Sequence, residues 1–381
     1  MTKSVLVSPG HLLAGVLALF AACGDNLDGV RDQPRPDAAG ELPPRAVAVS
    51  GNFMAGQPGV MSALDLSAMT VAERVAPNGA IGNDPVIRKF DNELFVINRT
   101  DGNNVTILDA TTFAVKEQLA TGAGSNPQDV AIVGDKLYVP GFGMSGVVVL
   151  TRGSTTPATI DLSALDPDGK PNCISAYRVG TDIYVACELL DPNYVPRAVG
   201  KIVVIDSATD TVRTMFDLGQ LNPFGMFEPL PASHGGGLVI PSYTFGDLTE
   251  GCVERITTGA TPSSMGCLIT NVALGGLAGR IEFQQLGSTP ILWMVVSWFD
   301  GDPIGNLQGF DLESMTKWPE PITPASQLLV DMAPCPDGRI VVADQTMASH
   351  GLRVYEGGLE VTTAPLGIGL KPASSHGLLC Y

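Results

Sequence analysis

The chain has 381 residues and a formal net charge of −17 at pH 7, although charged side chains make up only 16% of the sequence. Because so acidic a surface repels phosphates, we expect no nucleic-acid partner. The 44 glycines and 29 prolines are typical of short strands joined by tight turns, and long helical periodicity is absent beyond the first 23 residues. The composition therefore predicts an all-β protein.

The N-terminal segment has the pattern of an export signal. Lys3 precedes an apolar run at residues 12–22, which is too short to cross a bilayer and ends on two alanines before Cys23. This ending resembles the lipobox of bacterial lipoproteins, with Phe20 where that family prefers leucine. The resemblance implies a lipoprotein signal peptide over residues 1–22 and a lipid on Cys23. We therefore expect a lipid-anchored protein of the bacterial cell envelope that faces the periplasm or the cell surface.

Residues 23–44 predict a flexible tether. The segment is polar, rich in proline and nearly free of large apolar side chains. Such a composition cannot bury enough surface to fold. A coil of this length spans roughly 25 Å, which holds the following domain clear of the lipid head groups.

From Arg45 onward the sequence repeats a β-rich unit. Short apolar runs recur, and several of the strands that follow them end on an aspartate that can bond the backbone of its own turn. Asp65 and Asp109 are 44 residues apart, and the next two spacings, to Asp206 and to Asp311, are about twice as long. Four short strands in each repeat of about 40–50 residues are typical of a propeller blade.

The number of repeats predicts a seven-bladed β-propeller over residues 45–381. Six complete blades begin near the following residues: Asn83, Asn126, Asn172, Asn222, Gly276 and Leu328. Residues 45–75 supply three further strands and residues 371–381 supply one, so that the two chain ends form the seventh blade together. Pairing of the N- and C-terminal strands closes the ring and removes exposed sheet edges.

The repeats over residues 84–218 resemble the YVTN-type β-propeller family. The resemblance rests on Phe95–Asn98, on Val105–Asp109 and on Ile205–Val212. It implies a ring of seven blades but no single activity, because propellers host binding modules and several unrelated enzymes.

Six cysteines remain after Cys23, an even number that favours disulfides in an exported chain, with free buried thiols as the alternative. Alignment of the blades puts the first two in adjacent antiparallel strands, the next two around a hairpin, and the last two at equivalent positions of neighbouring innermost strands. We therefore predict three disulfides: Cys173–Cys187, Cys252–Cys267 and Cys335–Cys380. The third would lock the ring.

Four polar residues form the predicted ligand site at the propeller mouth: Asp129, Asp331, His350 and His376. Blade alignment puts the two histidines on one face of the ring in neighbouring blades, with Asp331 beside them and Asp129 further round. Histidine and carboxylate side chains can bind a metal ion or act as acid and base. The alternative interpretation is that all four are polar residues that cap strands.

Two further motifs do not support a cofactor. Gly141–Gly146 match G-x-G-x-x-G, but a strand follows where a dinucleotide fingerprint requires a helix, so we interpret them as a turn. Residues 165–170 and 300–302 resemble parts of calcium loops without the full set of ligands, and we interpret both as turns. No cofactor is therefore predicted, with bound calcium or a transition metal as a minor alternative.

These patterns predict a non-catalytic monomer that contacts the membrane through its lipid and binds a protein, peptide or glycan on one face of the ring. The alternative is a metal-assisted envelope hydrolase or lyase with its site near Asp331, His350 and His376. The sequence contains no G-x-S-x-G or HExxH motif that would favour catalysis.

Overall fold

Seven four-stranded antiparallel sheets form a ring, which makes the chain a seven-bladed β-propeller. The computed structural model describes residues 44–381 except 53–55, 245–246, 301 and 325–326. The predicted signal peptide, Cys23 and nearly all of the predicted tether lie outside the described residues, as does Gly301 of the second calcium-like segment. Among the described residues, no helix has the length and apolar character needed to cross a membrane.

The chain begins one blade and then completes six others in order. The first three strands are β1 (Arg45–Ser50), β2 (Val60–Asp65) and β3 (Thr70–Ala72). The first complete blade contains β4 (Pro85–Phe90), β5 (Glu93–Asn98), β6 (Asn104–Asp109) and β7 (Val115–Ala120). The second contains β8 (Ala131–Val133), β9 (Lys136–Pro140), β10 (Gly146–Thr151) and β11 (Ala158–Asp161). The third contains β12 (Cys173–Val179), β13 (Asp182–Cys187), β14 (Val199–Asp206) and β15 (Thr211–Leu221).

The remaining blades follow the same order. The fourth contains β16 (Glu228–Pro229), β17 (Leu238–Thr244), β18 (Asp247–Ile256) and β19 (Ser264–Thr270). The fifth contains β20 (Leu277–Leu286), β21 (Thr289–Asp300), β22 (Asp302–Asp311) and β23 (Thr316–Lys317). The sixth contains β24 (Leu329–Pro334), β25 (Ile340–Asp344), β26 (Gly351–Glu356) and β27 (Leu359–Glu360). One short helix (Asn271–Leu274) and two 3-10 turns (Ser163–Leu165 and Ala232–His234) complete the elements of the described residues, together with the last strand, β28 (Leu378–Cys380).

The closing blade joins both chain ends in the strand order β28-β1-β2-β3. Ala46, Val47 and Ala48 of β1 pair with the three residues of β28. The backbone amides of Arg45 and Tyr381 extend this pairing, since each donates to the other's carbonyl at 2.9 Å. The C-terminal strand therefore completes the blade that the N-terminal strands begin, as the sequence predicts.

Blades are apolar on both faces because each packs between two neighbours. In β5, every position from Leu94 to Asn98 is buried, so the strand is an almost continuous apolar run with no alternation. Phe95 and Ile97 contact the second blade, whereas Leu94 and Val96 pack against the closing blade. Since an isolated blade would expose both faces, the ring has to close for the cores to be covered.

The aspartates that mark the repeats form turns. Asp65 Oδ1 accepts hydrogen bonds from the amides of Ser67 and Ala68 at 2.8 and 2.9 Å, and the carboxylates of Asp109, Asp206 and Asp311 accept amides in the same way. Each turn reverses the chain between the third and fourth strands of a blade. The periodic aspartates are therefore structural.

All three predicted disulfides are present. Cys173 and Cys187 are directly paired residues of β12 and β13, with their Cα atoms 3.9 Å apart. The second disulfide, Cys252–Cys267, spans the β18–β19 hairpin. The third, Cys335–Cys380, joins the end of β24 to β28 across the last blade boundary. Three disulfides indicate an extracytoplasmic protein.

Candidate functional site

Asp129, one of the predicted mouth residues, is fully buried and connects three successive blades. Arg88 of β4 donates two hydrogen bonds to its carboxylate, from Nε at 2.8 Å and Nη2 at 2.9 Å. On the other side, Ser175 Oγ and Ala176 N of β12 each donate to Asp129 Oδ2 at 3.0 Å. The carboxylate is thus fully engaged in holding the innermost strands together.

Asp331 has the corresponding position at the last blade boundary and is also fully buried. Its Oδ2 accepts hydrogen bonds from Gly377 N at 2.7 Å and Leu378 N at 2.9 Å, and Met332 N donates to Oδ1. Burial raises the pKa of the carboxyl group to about 6, against the opposing effects of Arg280 and the backbone amides. Like Asp129, Asp331 holds neighbouring blades together.

The two predicted histidines differ in their exposure to solvent. His350 is exposed in the loop between β25 and β26, whereas His376 is only 5% exposed and precedes β28. The His376 backbone has φ 54°, its carbonyl accepts from Ile87 N, and its Nδ1 lies 2.6 Å from Ser375 Oγ. Burial, and then the nearby arginines, lower the pKa of His376 well below its usual value, so the imidazole is neutral at pH 7.

A cavity of about 330 Å³ lies at the mouth of the ring. Its wall is formed by loops between the second and third strands of the blades, by connections between blades, and by one residue each of the innermost strands β4 and β12. Fifteen residues line it: Val86, Arg99, Gln128, Phe142, Ile174, Glu188, Leu190, Tyr194, Asn222, Phe224, Gly225, Met226, Ser374, Ser375 and His376. Of the four predicted site residues, the structure brings only His376 to this cavity. Its volume is that of a small-molecule site.

Glu188 is the unexpected member of the cavity wall. It directly follows Cys187 at the end of β13 and is 2% exposed, and its carboxyl group has no hydrogen-bond or ion-pair partner among the described residues. Burial alone raises the pKa of Glu188 well above that of an ordinary glutamate. A carboxyl group in this environment retains its proton unless a ligand supplies compensating charge.

Three aromatic side chains line the cavity: Phe142, Tyr194 and Phe224. Tyr194 stacks on Phe142, with ring centroids 6.2 Å apart and an interplanar angle of 21°, and Phe224 contacts Tyr243 at 4.9 Å. Tyr194 is 70% exposed and adopts φ 62°, while its amide donates to Asp191 O at 2.8 Å. An exposed aromatic ring fixed at the tip of an ordered loop is typical of ligand-binding surfaces.

Asn172 holds two of these loops together from beneath. Its Nδ2 donates to Phe142 O at 3.2 Å, and its Oδ1 accepts from Leu190 N at 3.1 Å. The Asn172 carbonyl also accepts from Glu188 N at 3.1 Å. Because Asn172 precedes the Cys173–Cys187 disulfide, the backbone on both sides of Glu188 is fixed.

Arg99 is the cation of the cavity wall, and its charge is already paired. Nη2 donates to Asp84 Oδ1 at 2.5 Å, and Nη1 donates to Gln128 Oε1 at 3.4 Å.

A second concavity, of about 380 Å³, lies between β2 and β3 on the outer part of the closing blade. Its carboxylate, Asp65, is occupied by the turn described above. The mouth cavity is therefore the better candidate site.

The fold and this cavity define the class of protein: an exported seven-bladed β-propeller with a closed ring and a small cavity at its mouth. No protein-family model matches the chain, and no curated protein matches it.

Solved structures with a similar fold include a putative 6-phosphogluconolactonase from Bacteroides uniformis, with a TM-score of 0.54 and 12% identity over 89% of this chain and 100% of the other. AztD from Citrobacter koseri has a TM-score of 0.53 and 10% identity, over 90% of this chain and 98% of AztD. A quinonprotein alcohol dehydrogenase-like protein from Bacteroides thetaiotaomicron has a TM-score of 0.54 and 11% identity, over 85% and 77%. At such identities the similarity shows the fold alone.

Proposed function

We propose that this chain is a YVTN-type propeller lipoprotein, anchored through Cys23, that binds a ligand in the mouth cavity without catalysing a reaction. The observation that carries the proposal is the exposed Tyr194 ring, stacked on Phe142 at the rim of a cavity whose wall includes a buried, unpartnered carboxyl group. Rigid aromatic rings offer large contact areas at low entropic cost. A volume of about 330 Å³ accommodates a small molecule, one sugar ring or one peptide side chain.

Binding has more support than catalysis. Asp129 and Asp331 are occupied by neighbouring strands, and His376 Nδ1 is paired with Ser375. Within the described ranges, no three His, Cys, Asp or Glu side chains are grouped so that they could hold a metal ion. A metal-assisted hydrolase or lyase, the alternative function, would need a ligand set that these residues do not supply.

Replacing Tyr194 with alanine tests the binding proposal. We expect ligand-observed NMR with a fragment library to find compounds that bind the wild-type protein, with affinities about fivefold lower in Tyr194→Ala, because one stacked ring contributes about 1 kcal/mol. Thermal stability should be unchanged, since the ring is exposed. Leu359→Ala is the matched control, because Leu359 is 74% exposed in the outermost strand β27. Equal binding by wild type and Tyr194→Ala, or no binding by either, would contradict the proposal.

The anchor has its own test. Metabolic labelling with an alkyne analogue of palmitate should label the wild-type chain and leave Cys23→Ala unlabelled, because the lipidated thiol is removed. Labelling of both proteins to the same extent would exclude Cys23 as the attachment site. Cell fractionation in the same experiment compares membrane association of the two chains.

A further inference from the structure

We propose that the mouth cavity binds a small organic cation, whose alkylammonium head group is held by the Glu188 carboxylate and the aromatic rings around it. The inference rests on the proposed function, namely that this cavity binds a ligand. It begins with Glu188, which is 2% exposed and without a hydrogen-bond or ion-pair partner in the described part of the chain.

None of the nearby arginines provides a cationic partner for the Glu188 carboxylate. Three arginines lie near the cavity or the ring axis, and each is paired with another carboxylate: Arg88 with Asp129, Arg99 with Asp84 and Arg280 with Glu282. Burial is the only cause of the raised pKa of Glu188, so no described cation is close enough to lower it. A buried carboxylate is costly unless it is paired. A cation that enters the cavity would provide the missing partner.

The walls favour an organic cation over a metal ion. Phe142, Tyr194 and Phe224 line the cavity, and aromatic ring faces attract ammonium groups within about 6 Å. Glu188 lines the same cavity as Phe224, and Tyr243 packs against Phe224. Burial raises the pKa of Tyr243, and the Glu188 carboxylate adds to this effect. A calcium ion instead requires about six to eight oxygen ligands. One carboxylate among aromatic rings suits an alkylammonium.

An anion is the least favoured ligand. The chain carries a net charge of −17, which lowers the local concentration of anions and raises that of cations. The Arg99 guanidinium in the cavity wall is already paired with Asp84 and therefore does not offer a free positive charge to an anion. Asn172 and the Cys173–Cys187 disulfide hold the Glu188 and Phe142 loops in place, so little ordering is needed when a cation binds.

Binding of a cation should release a proton. The empty site keeps Glu188 protonated up to its raised pKa, whereas the cation selects the ionised carboxylate. Affinity therefore rises with pH until that pKa is passed. Three ionisable groups near Glu188 do not compete in this range: the pKa of His376 is lowered, that of Tyr243, which packs against Phe224, is raised, and Arg99 is paired.

Calorimetry with choline and its neutral analogue 3,3-dimethylbutan-1-ol tests the inference. The two compounds have nearly the same shape and differ in charge. We expect the wild-type protein to bind choline at least about tenfold more tightly than the neutral analogue, with an affinity that rises with pH above the ordinary pKa of a glutamate. The heat should differ between phosphate and Tris buffers because a proton is released.

Glu188→Gln is the test variant, since it keeps the shape of the side chain and removes the charge. It should bind choline no more tightly than the neutral analogue, and its binding should no longer depend on pH. Glu356→Gln, which removes an exposed carboxylate in β26, should behave as the wild type. Thermal unfolding of both variants verifies that they are folded.

Three results would overturn the cation assignment without affecting the proposed function. The first is equal affinity of the wild type for both compounds. The second is failure of choline to bind while library fragments still bind in a Tyr194-dependent manner. The third is sedimentation with phosphatidylcholine vesicles in the absence of free choline binding, because the recognised surface would then be a lipid. Loss of all fragment binding would instead overturn the proposed function itself.

Discussion

Replacing both Cys335 and Cys380 with alanine should lower the free energy of unfolding by about 4 kcal/mol. The disulfide closes a loop with a sequence separation of 45, and the strand it holds, β28, pairs with β1 through only three residues. Without the cross-link, the unfolded chain gains conformational entropy, and the ring is held closed only by the short pairing of β28 with β1. Chemical denaturation under non-reducing conditions measures the difference.

The Cys252 and Cys267 pair provides the matched control. Its disulfide spans a single hairpin with a sequence separation of 15, so its removal leaves the ring closure intact. Hydrogen exchange distinguishes the two variants: the amides of β1 should lose protection when the Cys335–Cys380 bond is absent and keep it when the hairpin bond is absent. Unchanged protection in β1, with equal loss of stability in both variants, would show that the closing disulfide has no special role.

Asp129→Ala should destabilise the protein by about 3 kcal/mol, because it removes a fully buried carboxylate and leaves the Arg88 guanidinium, whose side chain is only 18% exposed, without its partner. Burial lowers the pKa of the Arg88 guanidinium, but the adjacent carboxylate outweighs this and raises it overall. The substitution also leaves Ser175 Oγ and Ala176 N without their acceptor. Denaturant titration of the purified variant measures the loss.

Two further variants separate the charge from the packing at Asp129. The double variant Arg88→Met with Asp129→Leu should recover part of the lost stability, because apolar side chains of similar size need no ionic partner. Asp65→Ala removes a carboxylate from an exposed turn and should cost about 1 kcal/mol or less. If Asp129→Ala were no less stable than Asp65→Ala, the Arg88–Asp129 ion pair would not be holding the blades together.

The fold was predictable because the sequence features that form each blade repeat along the chain. Each blade contributes similar apolar runs, and turn aspartates such as Asp109 recur at the blade period, so that strands, blade boundaries and the closing strand follow from alignment. The same alignment identified the cysteine pairs, since disulfides depend on backbone positions that the repeats determine.

The candidate site was less predictable because it lies in the parts of the blades that do not repeat. Alignment located Asp129 and Asp331 at the start of innermost strands, but it could not show that neighbouring amides bury and occupy them. Glu188 and Tyr194 lie in one long loop of the third blade, and their significance depends on burial and on contact with Phe142. A carboxylate next to a disulfide cysteine was the only sequence feature that could have identified Glu188.

A crystal structure of the protein soaked in choline would test the binding site directly. We expect the trimethylammonium group in the mouth cavity, within about 6 Å of the Tyr194 and Phe142 ring centroids, with Glu188 as its nearest carboxylate. An empty cavity at saturating choline, or choline bound to another part of the ring, would show that the proposed site is wrong.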